Sequence, residues 1–342
     1  MLVIAHPAHV HFFRNYFELM KEKGHRISVM VKERENTTKL LDLYGIPYKI
    51  FGRTYPNRPS KAWGVIRNDI NLIRQSKRFN PDITASIGGL YSVHAGACLG
   101  VPSIDFMDTE GAHLTNRLTF PFATVIATPD CYNASVPRNK HLPYKGYHEL
   151  AYLHPDYFTP DKKVLKLIDV DPGDYIVLRF SSWDASHQEG EAAMTWQDKI
   201  ELTKELAKHK RVLVDTEADL PLEIEKYRLK IPDHLYHHVL AFSSIYVGEG
   251  ATAASEAGIL GVPWIFVSKK TRCYLEDQSN RYGLGNTVSS KEATIKESKR
   301  LLQIDAGEYR KASKKLINEK IDVTPWMIDL TKRLYREYNG GQ

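Results

Sequence analysis

The run Gly248 to Pro263, GEGATAASEAGILGVP, opens with the spacing Gly-x-Gly-x-x-Ala. Small residues at Gly250, Ala251 and Thr252 leave backbone N–H groups open at a helix start, where the helix dipole favours an anion such as a diphosphate. Glu256 falls about one and a half turns further along that helix, in reach of the paired hydroxyls of a ribose; an exposed helix glutamate is the plainer alternative. His9 stands just past the apolar run Leu2 to Ala5, on the side of a sheet where strands end and ligands collect. A neutral imidazole there can take a proton from a hydroxyl, unless His6, His9 and His11 only close a turn. Ser181 and Ser182 follow the strand-like run Tyr175 to Phe180, where hydroxyls and N–H groups can hold a diphosphate from the side opposite Gly250, or simply form a turn. Asp108 and Glu110 follow another strand and set two carboxylates together for proton transfer, or cap the helix after Gly111. Asp169-Val170-Asp171 matches a metal-binding Asp-x-Asp, but Pro172-Gly173 come at once and make a turn the better reading; no metal is expected.

The Gly-x-Gly-x-x-Ala run also fits a dinucleotide fingerprint in part. At least two strands of its domain precede it, however. Lys269-Lys270 stand where an NAD site has an acidic residue, so only a 2′-phosphate would be tolerated.

Those residues need a scaffold, and the chain alternates short apolar runs with helical periodicity throughout. Leu2 to Ala5, Ile27 to Val31, Tyr48 to Phe51, Ile83 to Ile87, Ser103 to Phe106 and Phe122 to Ala127 read as strands between helices. A second series starts at Tyr175 and continues through Arg211 to Val214, Ile245 to Val247 and Trp264 to Val267. Alternation of this kind argues for parallel sheets with helices on both faces. Gly89 to Pro102 and Gly250 to Pro263 have equal length and both end in Leu-Gly-Val-Pro. The expected fold is therefore α/β, with two Rossmann-like doubly wound domains facing across a cleft. The domains are expected at 1–150 and 161–322, with a linker at 151–160, where prolines and aromatics lack periodicity. A helix over 323–342, started by Thr324-Pro325, is expected to pack back on the first domain.

At 342 residues, with 42% hydrophobic and 26% charged residues, the chain suits two globular domains. The net charge of +6 is modest and its bases are dispersed, which argues against nucleic acid as a partner. Cys98, Cys131 and Cys273 lack any paired spacing, and no apolar run is long enough to span a membrane, so a cytoplasmic protein is expected. Trp63, Ile66, Ile70 and Ile73 form one stripe with Arg67, Arg74, Lys77 and Arg78 largely elsewhere. The helix is expected to pack this stripe on its sheet; the alternative, with Arg53, Arg58 and Lys61 nearby, is contact with anionic lipid.

Gly250-Ala251, Ser255-Glu256 and Gly261-Val262-Pro263 resemble the donor-site motif of the inverting GT-B glycosyltransferases that add N-acetylglucosamine to the lipid-linked peptidoglycan precursor. The resemblance implies that Glu256 binds ribose. Ala8-His9-Val10 is similar to that family's Gly-His-Val, which implies His9 as base. Gly88-Gly89 and Leu114-Thr115-Asn116 resemble counterparts in its acceptor domain, and Asp277-Gln278 fall where GT-B proteins often hold the donor sugar's hydroxyls. His6-Pro7 replaces that family's glycines, so its lipid acceptor is not carried over. Pro7 to Phe13, Gly24-His25 and the Gly-Ala-Thr-x-x-x-Glu-Ala run resemble still more closely a prokaryotic family of predicted GT-B proteins described only as a domain of unknown function.

The resemblance implies inverting, metal-independent transfer from a nucleotide-diphosphate sugar, UDP favoured, to a hydroxyl acceptor, either a glycan or a lipid-linked compound, with a place in cell-surface polysaccharide synthesis. No cofactor beyond that substrate is implied. Peripheral contact with the inner face of the membrane is left open. A second expectation is a nucleotide-sugar 2-epimerase: the non-hydrolysing UDP-N-acetylglucosamine 2-epimerases share this architecture and would use paired acids such as Asp108 and Glu110. Their Gly-Asp at the preceding strand end reads Gly88-Gly89 here, which ranks that reading lower. A non-catalytic nucleotide-sugar-binding protein is the third.

Overall fold

The computed structural model describes residues 1–55, 58–181 and 193–340. The chain divides into two units, Met1–Tyr157 with Ile321–Gln342, and Phe158–Lys320. Residues 151–157 thus belong to the first unit.

The first unit runs β1 (Leu2–Ile4), α1 (Pro7–Glu22), β2 (Val29–Glu33), α2 (Glu35–Leu43), β3 (Tyr48–Arg53), α3 (Arg58–Phe79), β4 (Thr84–Ile87), α4 (Leu90–Leu99), β5 (Ser103–Phe106), α5 (His113–Thr119), β6 (Val125–Pro129), β7 (His141–Tyr144) and α6 (Leu150–Leu153). All seven strands are parallel, in the order β3-β2-β1-β4-β5-β6-β7. Their near-continuous burial is what a parallel sheet covered on both faces requires. Val3, Met30 and Phe51 on three adjacent strands meet Leu72 of α3 and Ala95 of α4 in one apolar cluster. Helix α1 sends Phe12 and Phe13 against Phe106 of β5, with ring centroids 5.0 and 5.9 Å apart. Strand β7 was not expected, because Pro143 sits within it. It is the edge strand, where a residue without an N–H is tolerated.

Helix α3 departs from its apparent amphipathicity. The row packed inward is Gly64, Asn68, Leu72 and Ser76, one residue every four. A side chain at Gly64 would overlap the Tyr55 ring, Asn68 Nδ2 donates to the Arg53 carbonyl at 3.0 Å, and Ser76 Oγ donates to the Leu72 carbonyl. Small and polar residues let the helix lie close on β3. Of the stripe expected to pack, Ile73 does rest on the apolar cluster, but the other three face water: Trp63 is 63%, Ile66 52% and Ile70 42% exposed.

The second unit runs β8 (Tyr175–Arg179), α7 (Trp196–Leu206), β9 (Arg211–Asp215), α8 (Leu222–Glu225), α9 (Tyr236–Leu240), β10 (Ile245–Gly248), α10 (Ala251–Ile259), β11 (Trp264–Val267), α11 (Cys273–Tyr282), β12 (Gly285–Val288), α12 (Lys291–Leu301) and α13 (Ala306–Glu319). Its five strands are parallel, in the order β12-β11-β10-β8-β9. The two similar sequence segments occupy equivalent places. Gly89 caps α4 after β4, the strand beside the unit's first strand, and Gly250 caps α10 after β10, likewise beside the first strand. In each sheet this is the point where strand order reverses, and ligands of such sheets bind there, outside the strands' carboxyl ends.

The last helix, α14 (Val323–Asn339), belongs to the first unit. Its N-cap is Asp322, which accepts from Thr324 N–H at 3.0 Å, rather than Thr324; Pro325 is accommodated in the first turn, where its missing N–H costs nothing. The Thr324 hydroxyl donates to the Ala151 carbonyl at 2.8 Å, as does Asn15 Nδ2 of α1. Among the described residues no helix is long and apolar enough to cross a membrane.

Candidate functional site

In the second unit the chemistry gathers where β8 and β10 end. Gly248 has no room for a side chain, since a Cβ would come within 2.5 Å of the Arg179 carbonyl and 2.7 Å of the Tyr246 hydroxyl. The first glycine of the opening motif is therefore demanded by the approach of β8 to this turn, while a Cβ at Gly250 would press on Tyr246 and Arg179 side chains at 3.2 and 3.3 Å. Gly250 caps α10 with no side-chain acceptor at the helix start, and half-buried Ala251 and Thr252 follow. Arg179 ends β8 beside them and pairs with Asp215; its side chain keeps 34% of its surface exposed. The Asp215 charge raises the guanidinium further, so it is cationic at every relevant pH. Arg179 was not singled out from the sequence, although an arginine at the end of an apolar strand, two residues before the serine pair, was the available signal.

Glu256 is no surface glutamate. It is 6% exposed, and its Oε1 lies 2.9 Å from Nε2 of the equally buried His237 on α9. A buried carboxylate needs such a partner to be kept in place.

Three expected ligands are placed differently. The Ser181 N–H donates to Glu249 Oε2 at 3.0 Å, and that carboxylate also pairs with Lys199 at 2.8 Å, so the N–H is not open to a diphosphate. Ser182 lies outside the described residues. Gln278 is fully buried: it accepts from Trp264 Nε1 at 3.1 Å and donates to Ser255 Oγ at 2.8 Å. With both ends of its amide committed to the core, it cannot reach a sugar. Asp277 lies 2.8 Å from Lys320, whose side chain has no exposed surface, and 3.6 Å from Arg281. Its carboxylate neutralises a buried cation. Beside these residues, at the ends of β11 and β12, a polar basin of about 500 Å³ is lined by Ser268, Lys269, Lys270, Thr271, Asn286 and Thr287 among others.

In the first unit His9 sits in the opening turn of α1, whose N-cap is His6. The Ala5 N–H lies 3.5 Å from His9 Nδ1, a long contact that steadies the ring weakly. Burial, reinforced by His6 and His148 and opposed by Asp108, lowers the imidazole to about 3, so it is neutral at pH 7. Asp108 does not cap the next helix; Ala112 holds that position. Its Oδ2 lies 3.0 Å from His148 Nδ1, and Oδ1 accepts from the Thr109 hydroxyl at 2.9 Å. Burial alone would raise this carboxyl, but His148, with help from Thr109 and His9, outweighs it and holds the group at about 2. His148 was missed because it lies after the unexpected strand β7. Glu110 is half-buried in the turn between β5 and α5.

Gly88 and Gly89 form the turn from β4 into α4. Gly88 adopts φ +53°, the left-handed region open to glycine. A Cβ at Gly89 would coincide with the Ser86 hydroxyl. The turn is pinned from below by Asp105 on β5, whose Oδ1 accepts from Gly89 N–H at 2.8 Å. Asp105 is fully buried and Oδ2 has no partner among the described residues, so burial raises its carboxyl to about 7 despite the bonds from Gly89 and Gly88. A carboxyl raised on folding contributes stability that is present below pH 4 and is lost as pH rises through 7. Asp105→Asn keeps the acceptor and removes the ionisation. The variant is expected to gain on the order of 3 to 4 kcal/mol over the wild type between pH 4 and pH 8; urea unfolding at both pH values measures it, and an unchanged difference would refute it.

His154, Asp156 and Asp322 bring ligand atoms within 4.8 Å of one another in the first unit. Asp322 there already accepts from Thr324 N–H and from the Tyr157 hydroxyl.

Against solved structures the chain has the fold of three nucleotide-bound proteins. The S. aureus protein MnaA in complex with UDP matches with a TM-score of 0.73 at 12% identity, over 99% of this chain and 96% of that one. The UDP-GlcNAc 2-epimerase of Neisseria meningitidis bound to UDP-GlcNAc matches at 0.70 and 14%, over 96% and 98%. The spinosyn rhamnosyltransferase SpnG with thymidine diphosphate matches at 0.63 and 12%, over 96% and 99%. Two parallel α/β units of this kind make up the GT-B fold. Among curated proteins, the uncharacterized protein MJ0665 of Methanocaldococcus jannaschii is 20% identical over 77% of this chain and 79% of its own length. The model of one family matches residues 2–331, nearly the whole chain, and on that match the protein belongs to DUF354, a family described as a protein of unknown function.

Proposed function

We propose that this protein is a glycosyltransferase that binds a nucleoside-diphosphate sugar in its second unit and transfers the sugar to a hydroxyl acceptor. The observation that carries the reading is the grouping, at one strand-order reversal, of a cationic Arg179, the uncapped N-terminus of α10 and a buried Glu256 in the same helix. A diphosphate matches the first two, because a guanidinium and free N–H groups both favour a dense anion. The Glu256 carboxylate accepts from the ribose hydroxyls, with His237 holding its orientation. The donor sugar falls to the hydroxyl and ammonium groups of the basin around Lys269 and Lys270 rather than to Asp277 and Gln278.

His9 takes the acceptor's proton. As the acceptor oxygen forms its bond to the anomeric carbon, the bond from that carbon to the diphosphate breaks, the electron pair leaves with the diphosphate, and the configuration inverts. Arg179 and α10 stabilise the departing charge in the role a metal ion would otherwise take. Ionised Asp108 favours the imidazolium that forms on His9.

Melting temperatures measured with UDP-, GDP-, TDP- and CMP-sugars and with NADP test the ligand class. A rise with a nucleoside-diphosphate sugar and none with NADP is expected; the reverse pattern would overturn the reading. Product analysis then separates transfer, which needs an acceptor, from epimerisation, which does not.

Glu256→Gln is expected to weaken UDP binding about 10- to 100-fold, the loss of one set of charged hydrogen bonds. In the wild type 2′-deoxy-UDP should bind more weakly than UDP, and in the variant the two should bind alike. Calorimetric titration reads both, and a preference for UDP that survives the substitution would dismiss Glu256 as the ribose ligand.

A further inference from the structure

On the first unit, two apolar stripes lie side by side with no covering element among the described residues. One is Trp63, Ile66 and Ile70 on α3. The other is Leu114 and Leu118 on α5, exposed 73% and 44%, with Phe122 just beyond at 49%. His94 of α4 joins them: Nδ1 lies 2.9 Å from Asp69 Oδ2, between Ile66 and Ile70 in sequence, while Nε2 lies 3.1 Å from the Leu118 carbonyl. The His94 ring also meets Phe122 edge-on at 4.8 Å. The six side chains therefore form one surface, stapled at its centre.

The charge around it has one sign. Residues 63–79 carry Arg67, Arg74, Lys77 and Arg78 against Asp69 alone, and Asp69 is engaged by His94. Helix α5 carries Arg117 and no acid, and the Lys140 ammonium lies by Phe122, donating to the Phe120 and Pro121 carbonyls at 3.1 and 2.7 Å. Apolar side chains at the centre with arginine and lysine at the rim suit the boundary between lipid headgroups and acyl chains. A second copy of the chain fits less well, because a two-fold interface would set these like charges near one another.

We propose that the α3–α5 face docks on a bilayer of anionic phospholipid, with Trp63, Ile66, Leu114 and Phe122 entering the interface and Arg67, Arg74 and Arg117 meeting phosphates. The docking uses the first unit alone and is independent of the sugar-transfer reading. A membrane face of this kind would bring the enzyme to acceptors carried on lipid.

Flotation of the full chain with vesicles of phosphatidylcholine containing 30% phosphatidylglycerol, and with phosphatidylcholine alone, tests it. Binding to the mixed vesicles only is expected, together with a blue shift of tryptophan fluorescence that Trp63→Phe removes. Arg67→Glu/Arg74→Glu/Arg117→Glu should weaken binding on the order of a hundredfold, at roughly tenfold or less per basic residue. Ile66→Ser/Phe122→Ser should weaken it while leaving the charge unchanged. All these side chains are exposed, so the variants should melt as the wild type does and keep their nucleotide-induced shift. Equal flotation with both vesicles, or none with either, overturns the proposal. So does a stable dimer that Ile66→Ser/Phe122→Ser dissociates, which would assign the face to self-association.

Discussion

His9→Gln is expected to lower the rate of sugar transfer by about 10²- to 10⁴-fold, the usual contribution of a positioned acid-base group, with UDP affinity changed less than twofold. Glutamine fills similar space and leaves no nitrogen able to take a proton at neutral pH. The base is neutral in the resting protein because burial, His6 and His148 all disfavour its cation, so a fall in pH from 8 to 5 should not inactivate it. Its cation is favoured by Asp108, and Asp108→Asn should therefore slow transfer with the same sign and leave nucleotide binding intact. Rapid-quench measurement of product at saturating donor separates the chemical step from binding. Unimpaired transfer by His9→Gln would remove His9 from the mechanism and leave the nucleotide site of the second unit standing.

Asp277→Ala is expected to destabilise the protein by about 3 to 5 kcal/mol, the effect of breaking a buried ion pair by deleting one partner. Lys320 has no exposed surface on its side chain, and the substitution removes the carboxylate that lies 2.8 Å from its ammonium. Asp277→Leu combined with Lys320→Met should recover most of the loss, since both charges then leave together. Urea unfolding of the two variants measures the difference. A sugar ligand would behave in the opposite way: Asp277→Ala would melt like the wild type and lose only donor affinity.

The α/β architecture was legible because parallel strands buried on both faces read as short apolar runs, and Leu2 to Ile4 or Trp264 to Val267 admit little else. The internal repeat was legible for a stricter reason: Gly89 and Gly250 each open a helix at a strand-order reversal, where a Cβ would overlap Ser86 at the first and press on Tyr246 and Arg179 at the second. What failed was any inference that needed a partner far away in sequence. Asp277 and Gln278 have the chemistry of sugar ligands, and only Lys320, Trp264 and Ser255 reveal that their polar atoms are already occupied. His148 escaped notice because Pro143 disguised an edge strand. Helix α3 misled by its own periodicity, since the row that packs is built of Gly64, Asn68 and Ser76 with a single leucine, and hydrophobicity cannot point to a contact made by small size.

The return of the last helix to the first unit has a consequence for synthesis. Residues 158–320 are translated before residues 321–339, so the first unit receives its last helix only after the whole of the second has been made. Until then α1 and the edge of the first unit's sheet lack the neighbour in which Trp326 meets Tyr144, 4.6 Å between ring centroids, and Thr331 bonds Tyr16. The packing of the earlier-made half is therefore closed by a segment translated after the inserted half.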